Sequence, residues 1–341
     1  MDDREAILLA NRPVFCSSRR PKTMRTVALI LVVLGAACRG RNDIIRTVAD
    51  GPPGNESFRV AVLHLKSVGG DRSTPEGAQQ VLEANSRRAE QLIRLAADAG
   101  AEIVVTPEYL NSGNRLKAAE LPHVASAVPD PSSKLPLWGY DHVQPFLIRY
   151  ARLAAELRRY VVTQTVERTD VGGETLYYNT LVAFAPDGRV AAKYRKINLW
   201  MYENWIEESG QDTGCLETPH GRFGLLLCLD VVVPWTWART KREHDVDFYI
   251  LSSNWQHTPV PGRAACNLLA VLSGRPVVWS NQARGGTAGD AGIIRPGAAD
   301  TAMGVWGPQG VVVGNLPLPE RLLAEAVLAP APPCPVLRQS R

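Results

Sequence analysis

Gly224-Leu-Leu-Leu-Cys228-Leu-Asp230-Val-Val-Val-Pro-Trp235 is the stretch on which the reading of this chain turns. An apolar run bounded by Gly and Pro reads as a fully buried strand, here with a thiol where it runs out and a carboxylate two residues later. The thiol alone says little, because a free Cys usually packs as a small hydrophobe and only an activated thiolate is a nucleophile. A strand end is nevertheless where the backbone bends and a side chain can face a cleft. What surrounds Cys228 has to come from elsewhere in the chain.

Two other stretches supply it. Ala101-Glu-Ile-Val-Val-Thr-Pro-Glu108-Tyr109 is an apolar strand that hands over a carboxylate, and Lys193-Tyr-Arg-Lys196-Ile-Asn-Leu-Trp200 is a strand end that hands over an ammonium. Thiol, carboxylate and ammonium together form a nucleophile, a base and an oxyanion partner for attack on a carbonyl carbon. In this order, Pro-Glu, Tyr-Arg-Lys and Cys-x-Asp resemble the Glu-Lys-Cys triad of the nitrilase superfamily of carbon–nitrogen hydrolases. The spacings, 88 residues from Glu108 to Lys196 and 32 from Lys196 to Cys228, are similar to that family's.

The resemblance covers about residues 58–328 and implies an α/β fold, a four-layer α-β-β-α sandwich with a single catalytic domain. It implies hydrolysis of a linear amide through a Cys228 thioester, with no cofactor and no metal. Glu108 is then the general base and Lys196 the oxyanion cation, with the backbone N–H of Leu229 as a second donor. Glu203 resembles the family's second glutamate, which positions the lysine and substrate, and Tyr109 and Trp255 are candidate pocket walls. Large aromatics in such positions are more often core. Lys196-Ile-Asn-Leu-Trp-Met-Tyr-Glu203-Asn is similar to the biotinidase/vanin branch, whereas Leu229 stands where an aromatic is usual between Cys and Asp. The same triad would serve acyl transfer to an amine, and a chain that kept the fold without the activity would be an anchored binding protein.

With 45% hydrophobic and 21% charged residues the 341-residue chain has ample material for a core. No basic stripe interleaved with aromatics is present, which argues against a nucleic-acid partner; the partner that the resemblance implies is a small-molecule amide. No Gly-x-Ser-x-Gly elbow occurs, and His244, Asp245 and Asp247 lack a metal-ligand spacing. Six Cys without Cys-x-x-Cys spacing give neither a zinc ribbon nor a disulfide scaffold; Cys215 could pair with Cys266 in an oxidising compartment. Residues 1–37 hold six basic and three acidic side chains, three of the net +4.

Met24 to Cys38 has a basic start, a short apolar core and small residues before the Cys, a signal-peptide pattern. Leu34-Gly-Ala-Ala-Cys38 resembles a bacterial lipoprotein signal, which makes Cys38 a candidate lipidation site. The expectation is an exported protein, periplasmic or on the cell surface, either anchored to the membrane by a lipid on Cys38 or cleaved after Ala37 or nearby without one. The domains read as a leader over 1–37, with Met24 a possible true start, a breaker-rich tether over 38–57, the catalytic domain over 58–328 and a disordered tail over 329–341. The resemblance also implies a homodimer paired through a helical layer.

Within the body, Phe58–Leu65 reads as the first strand and Glu76–Gly100 as an amphipathic helix, followed by strand Glu102–Thr106. Residues 110–140 read as substrate-facing loops. A helix over Val143–Arg159 leads to a strand over Tyr160–Glu167. Tyr177–Ala185 and Arg189–Lys196 form a hairpin about Pro186-Asp-Gly188. Helices over Pro234–Glu243 and Pro261–Leu272 alternate with strands Arg222–Cys228, Val246–Ser252 and Pro276–Ser280. Ala291–Arg295, Gly310–Gly314 and Leu322–Leu328 read as closing strands, and Lys193 and Arg195 as solvated surface cations.

Overall fold

The structure is a computed structural model and describes residues 45–48, 50, 52–133, 136–140, 142–255, 262–283, 291–297, 302–303 and 309–322. Its strands are β1 (Ile45–Val48), β2 (Ser57–His64), β3 (Ile103–Val105), β4 (Tyr160–Val171), β5 (Glu174–Phe184), β6 (Val190–Arg195), β7 (Gly214–Thr218), β8 (Gly221–Leu227), β9 (Phe248–Ser253), β10 (Val277–Asn281), β11 (Gly292–Ile294), β12 (Ala302–Met303) and β13 (Gly310–Pro317). Its α-helices are α1 (Pro75–Asp98), α2 (Leu121–Val124), α3 (Pro145–Leu157), α4 (Pro234–His244) and α5 (Gly262–Ser273). The strands form two mixed sheets, ordered β1-β13-β2-β3-β4-β5-β6 and β12-β11-β10-β9-β8-β7.

The side-chain alternation of the strands builds the layers. On β2, Val60 and Val62 face the second sheet while Ala61 and Leu63 face the helices. Phe58, Ile103, Val105, Phe223, Leu225, Leu227 and Phe248 fill the space between the sheets. Helices α1 and α3 cover the outer face of the first sheet through Leu82, Leu92, Ile93, Phe146 and Tyr150. Helices α4 and α5 cover the second through Trp237, Cys266 and Leu269. This is the four-layer α-β-β-α sandwich. Sandwiched between sheet and helices, the leucines of β8 are buried on both faces, each worth about 2 kcal/mol of apolar burial.

Helix α1 starts where the sequence supplies a cap: the Thr74 hydroxyl accepts from the Gly77 N–H at 3.1 Å, and Pro75 occupies the first turn. Arg149 of α3 pairs with Glu83 and Glu90 of α1, and so pins the two outer helices side by side.

Several expectations need correcting. The tether over 38–57 contains β1, which pairs in parallel with β13 from Ile45↔Gly310 to Val48↔Val313. The strand from Tyr160 runs on past Glu167 to Val171 and turns back through Gly172-Gly173, both at positive φ, into β5. Strand β7, absent from the sequence reading, pairs with β8 in antiparallel register. Of the expected strand Leu322–Leu328, Leu322 closes a helical turn and the remainder lies outside the described residues, as do the 1–37 leader, Cys38 and the 329–341 tail. Cys215 and Cys266 are free thiols, so the pairing left open for them is not formed.

Candidate active site

Three strand ends meet at one end of the sandwich. Strand β3 gives out at Val105, and Thr106-Pro-Glu108 continues from it; Lys196 follows the last residue of β6; Cys228 follows the last residue of β8. Polar bridges join the two sheets near this end: Ser252 Oγ donates to the Thr106 carbonyl at 2.8 Å, and Ser280 Oγ to the Leu63 carbonyl at 2.7 Å.

Lys196 is fully buried, 0% exposed. Its Nζ donates to Glu108 Oε1 at 2.8 Å and to Glu203 Oε2 at 2.8 Å and Oε1 at 3.0 Å. A buried ammonium survives only if compensated, and two carboxylates do this. Burial alone would strip its proton, but the charges of Glu108 and Glu203 outweigh that and hold the ammonium well above the usual lysine range. Burial, with Glu203 alongside, outweighs Lys196 and raises Glu108 above the usual carboxylate range. A carboxylate tuned in that direction has a greater appetite for a proton.

Glu108 is held on all sides. Oε1 also accepts from Asn179 Nδ2 at 2.9 Å, Oε2 accepts from the Asn254 N–H at 3.0 Å, and its carbonyl accepts from Gln282 Nε2 at 2.8 Å. The next residue, Tyr109, sits at φ 52° with its N–H on Gln164 Oε1 at 2.9 Å. Such a conformation in a bulky residue is retained only where surrounding contacts over-determine it.

Cys228 is also left-handed, at φ 42°. On β8, Leu225 and Leu227 face between the sheets and Leu226 faces the helices, so regular continuation would turn residue 228 towards the helices. The left-handed step breaks that alternation, and Cys228 lines a cavity of about 240 Å³ together with Glu108, Glu203, Leu229, Asn254 and aromatic walls. Asp230 fastens the turn: its carboxylate accepts from the Leu227 N–H at 2.9 Å, Tyr194 Oη at 2.7 Å and Asn198 Nδ2 at 2.8 Å. Burial pushes the Cys228 thiol well above its ordinary range, Glu108 adds to this, and Lys196 opposes it. The resting group is therefore a thiol, which needs a base before it can attack.

The structure brings together Glu108, Lys196, Cys228 and Glu203, and places Leu229, Tyr109 and Trp255 on the cavity wall. Lys193 and Arg195 are not solvated surface cations as expected. Both pair with the buried Glu167, at 3.0 and 2.8 Å, and Arg195 lies over the Tyr178 ring. Sequence reasoning missed the amides Gln164, Asn179, Asn254 and Gln282, the rim residues Asn114 and Arg115, and Glu207. Gln164 and Asn179 leave a trace, as polar residues inside apolar strands, which in a buried strand must be hydrogen-bonded to something specific.

Two sheets packed face to face, helices outside, and a thiol beside a carboxylate-clamped ammonium define a nitrilase-type sandwich. Residues 59–321 match the family model described as carbon–nitrogen hydrolase, and the chain belongs to that family. Among similar proteins, human omega-amidase NIT2 is 29% identical over 184 residues, 51% of this chain and 56% of that protein. The pantetheinase of Canis lupus familiaris is 27% identical over 197 residues, 53% of this chain and 38% of its own. The chain thus spans about half or less of the length of these curated relatives. Saccharomyces cerevisiae Nit3, a member of branch 10 of the nitrilase superfamily, superposes with a TM-score of 0.62 at 18% identity, over 81% of this chain and 95% of its own. A mutant amidase from Nesterenkonia sp. AN1, with the acetamide moiety of fluoroacetamide added covalently at its active-site cysteine, gives 0.62 at 20% identity, over 82% and 98%. At those identities the two structures speak for the fold.

Proposed function

We propose that the protein hydrolyses a linear amide through a thioester on Cys228. The observation that carries this is Lys196, buried between Glu108 and Glu203 beneath the cavity that Cys228 lines. Glu108 takes the thiol proton and Sγ attacks the carbonyl carbon. The oxyanion is held by the Lys196 ammonium and the Leu229 N–H. The C–N bond breaks as Glu108 returns the proton to the leaving amine. Water, deprotonated by Glu108, then attacks the thioester, and the acid leaves as Cys228 recovers its proton.

The cavity favours a small substrate with an apolar body, walled by Trp200, Tyr202 and Trp255. Arg115 is exposed at this cavity, and among the described residues its guanidinium has no hydrogen-bond or ion-pair partner. That supports amides bearing a carboxylate, such as ω-amides or biotinyl-lysine, over the uncharged pantetheine that the biotinidase/vanin resemblance would also allow. We also propose export, on the signal-peptide pattern, and a homodimer. The exposed Leu268, Val271 and Leu272 of α5 form an apolar patch that suits pairing of the helical layers, and sedentary behaviour as a monomer in size-exclusion chromatography would count against it.

The test is amine release from a panel of ω-amides, biotinyl-lysine, pantetheine and N-carbamoyl amines, with the full chain and Cys228→Ala. Release lost in the variant supports thiol catalysis. Equal release by both would sink the reading. In Arg115→Ala, KM should rise for the carboxylate-bearing members and stay level for pantetheine.

A further inference from the structure

Glu207 is a buried acid that the proposed chemistry leaves unused. It lies one turn beyond Glu203, is 5% exposed, and its Oε1 has no hydrogen-bond partner among the described residues. Its Oε2 stands 2.8 Å from the Tyr109 hydroxyl, and Glu203 Oε1 stands 3.0 Å from the same hydroxyl. The hydroxyl also receives Asn179 Nδ2 at 3.1 Å.

Counting hydrogens decides what this arrangement holds. A phenol has one hydrogen and can give it to one carboxylate only. Two carboxylate oxygens within 3.0 Å of it therefore need a second hydrogen, carried by one of the acids. Glu203 accepts from Lys196 and from the Trp200 N–H at 2.6 Å, so it is the ionised partner. Among the described residues Glu207 has nothing to accept from but the phenol. The proton belongs on Glu207 Oε2, which donates to Tyr109 Oη, and the Tyr109 hydroxyl donates to Glu203 Oε1. Asn179 completes the acceptor side of the oxygen.

The charges agree. The groups facing Glu207 are Glu203 and Tyr202 from its own segment, Tyr109 and Glu108 from the loop after β3, and Lys196 from the end of β6. One cation among three carboxylates leaves two surplus negative charges, and a neutral Glu207 removes one of them. Burial, followed by the charge of Glu203, pushes the Glu207 carboxyl up to about 8. Burial and the same two carboxylates hold the Tyr109 hydroxyl protonated.

We propose that Glu207 is a positioning residue: while it holds its proton it fixes the Tyr109 hydroxyl as a donor to Glu203, and on losing it reclaims that hydroxyl, leaves Glu203 and Lys196 with an added negative charge beside them, and slows the chemistry at Cys228. This rests on the reading of Glu108, Lys196 and Cys228 as the catalytic set. It assigns the alkaline side of the activity profile to a residue that never touches substrate.

The experiment follows two readouts in the full chain between pH 6 and 10, for the unaltered protein, Glu207→Gln and Tyr109→Phe. One is alkylation of Cys228 by iodoacetamide, quantified on its own peptide by mass spectrometry, which needs no substrate. The other is amine release, each profile normalised to its own maximum. The unaltered protein should show an inflection near pH 8 in both, with Cys228 alkylation rising less steeply above it. In Glu207→Gln the inflection should vanish, and in Tyr109→Phe its amplitude should fall at least threefold. An inflection unchanged in either folded variant overturns the proposal, even if amide hydrolysis is robust. If no amide is hydrolysed yet the alkylation profiles differ as described, the assignment of Glu207 stands and the proposed substrate class falls.

Discussion

Asp230 accepts the phenolic hydrogen of Tyr194 at 2.7 Å, and that contact ties the strand that Lys196 follows to the turn that carries Cys228. The two catalytic candidates come from different sheets, so nothing in either sheet's own ladder sets their separation. The tie is reinforced by the Asn198 N–H and side chain, both on Asp230 Oδ1. Removing the phenol oxygen in Tyr194→Phe costs that charge-assisted hydrogen bond and the longer one the phenol accepts from the Ile197 N–H at 3.3 Å, about 2–3 kcal/mol together. Urea unfolding should report that loss, and kcat should fall more than KM rises, because positioning and not binding is disturbed.

Lys196→Met should be worse for the fold than for any single contact. It leaves Glu108 and Glu203, each 2% exposed or less, without their cation, and breaking such a pair costs about 3–5 kcal/mol. Amine release should disappear. Loss of activity with undiminished stability would mean that the two acids find other protons or partners at no cost.

The left-handed turn at Cys228 carries strain of about 1–3 kcal/mol that only Gly would escape. Cys228→Gly should therefore be more stable than Cys228→Ala by about 1 kcal/mol, and both should be inactive. Thermal melts of the two variants make the comparison directly. A less stable glycine variant would argue that the turn is not strained.

Gly210 donates its N–H to the Lys196 carbonyl at 2.8 Å, and a Cβ there would collide with the Arg195 carbonyl oxygen. Gly210→Ala should shift the end of β6 and with it Lys196. The expected outcome is a fall in kcat of tenfold or more, with a stability loss of about 1–3 kcal/mol as for other overpacking.

Glu207 binds its proton more tightly in the folded chain, at about 8 against an ordinary 4.5. Its contribution to stability is therefore complete below pH 4.5 and is lost as pH rises through 8. The melting temperature of the unaltered protein should decline more between pH 5 and 8 than that of Glu207→Gln. Parallel curves would mean that Glu207 is ionised in the fold.

Much of this was legible in the sequence because strand ends announce themselves. Leu225 to Leu227, Ile103 to Val105 and Val190 to Tyr194 alternate or run apolar, and Cys228, Glu108 and Lys196 follow each in turn. The four layers came with the family resemblance, since the periodicity of the strands implies only α/β. Strand β1 was not legible: four residues in a polar stretch become a strand only because β13, more than 260 residues away, offers its edge. Lys193 and Arg195 looked like surface charge, because the buried Glu167 that neutralises them lies on another strand. Glu207 was invisible for a similar reason, as its partner Tyr109 is 98 residues earlier.

Strand β13 lies between β1 and β2, so a segment from late in the chain is inserted among its earliest strands. The sheet that supports Glu108 and Lys196 cannot be finished until residues 310–317 have left the ribosome or crossed whatever barrier the chain must pass. The end of the sandwich at which Glu108, Lys196 and Cys228 meet is therefore among the last parts of the fold to gain its full support, a consequence of strand order alone.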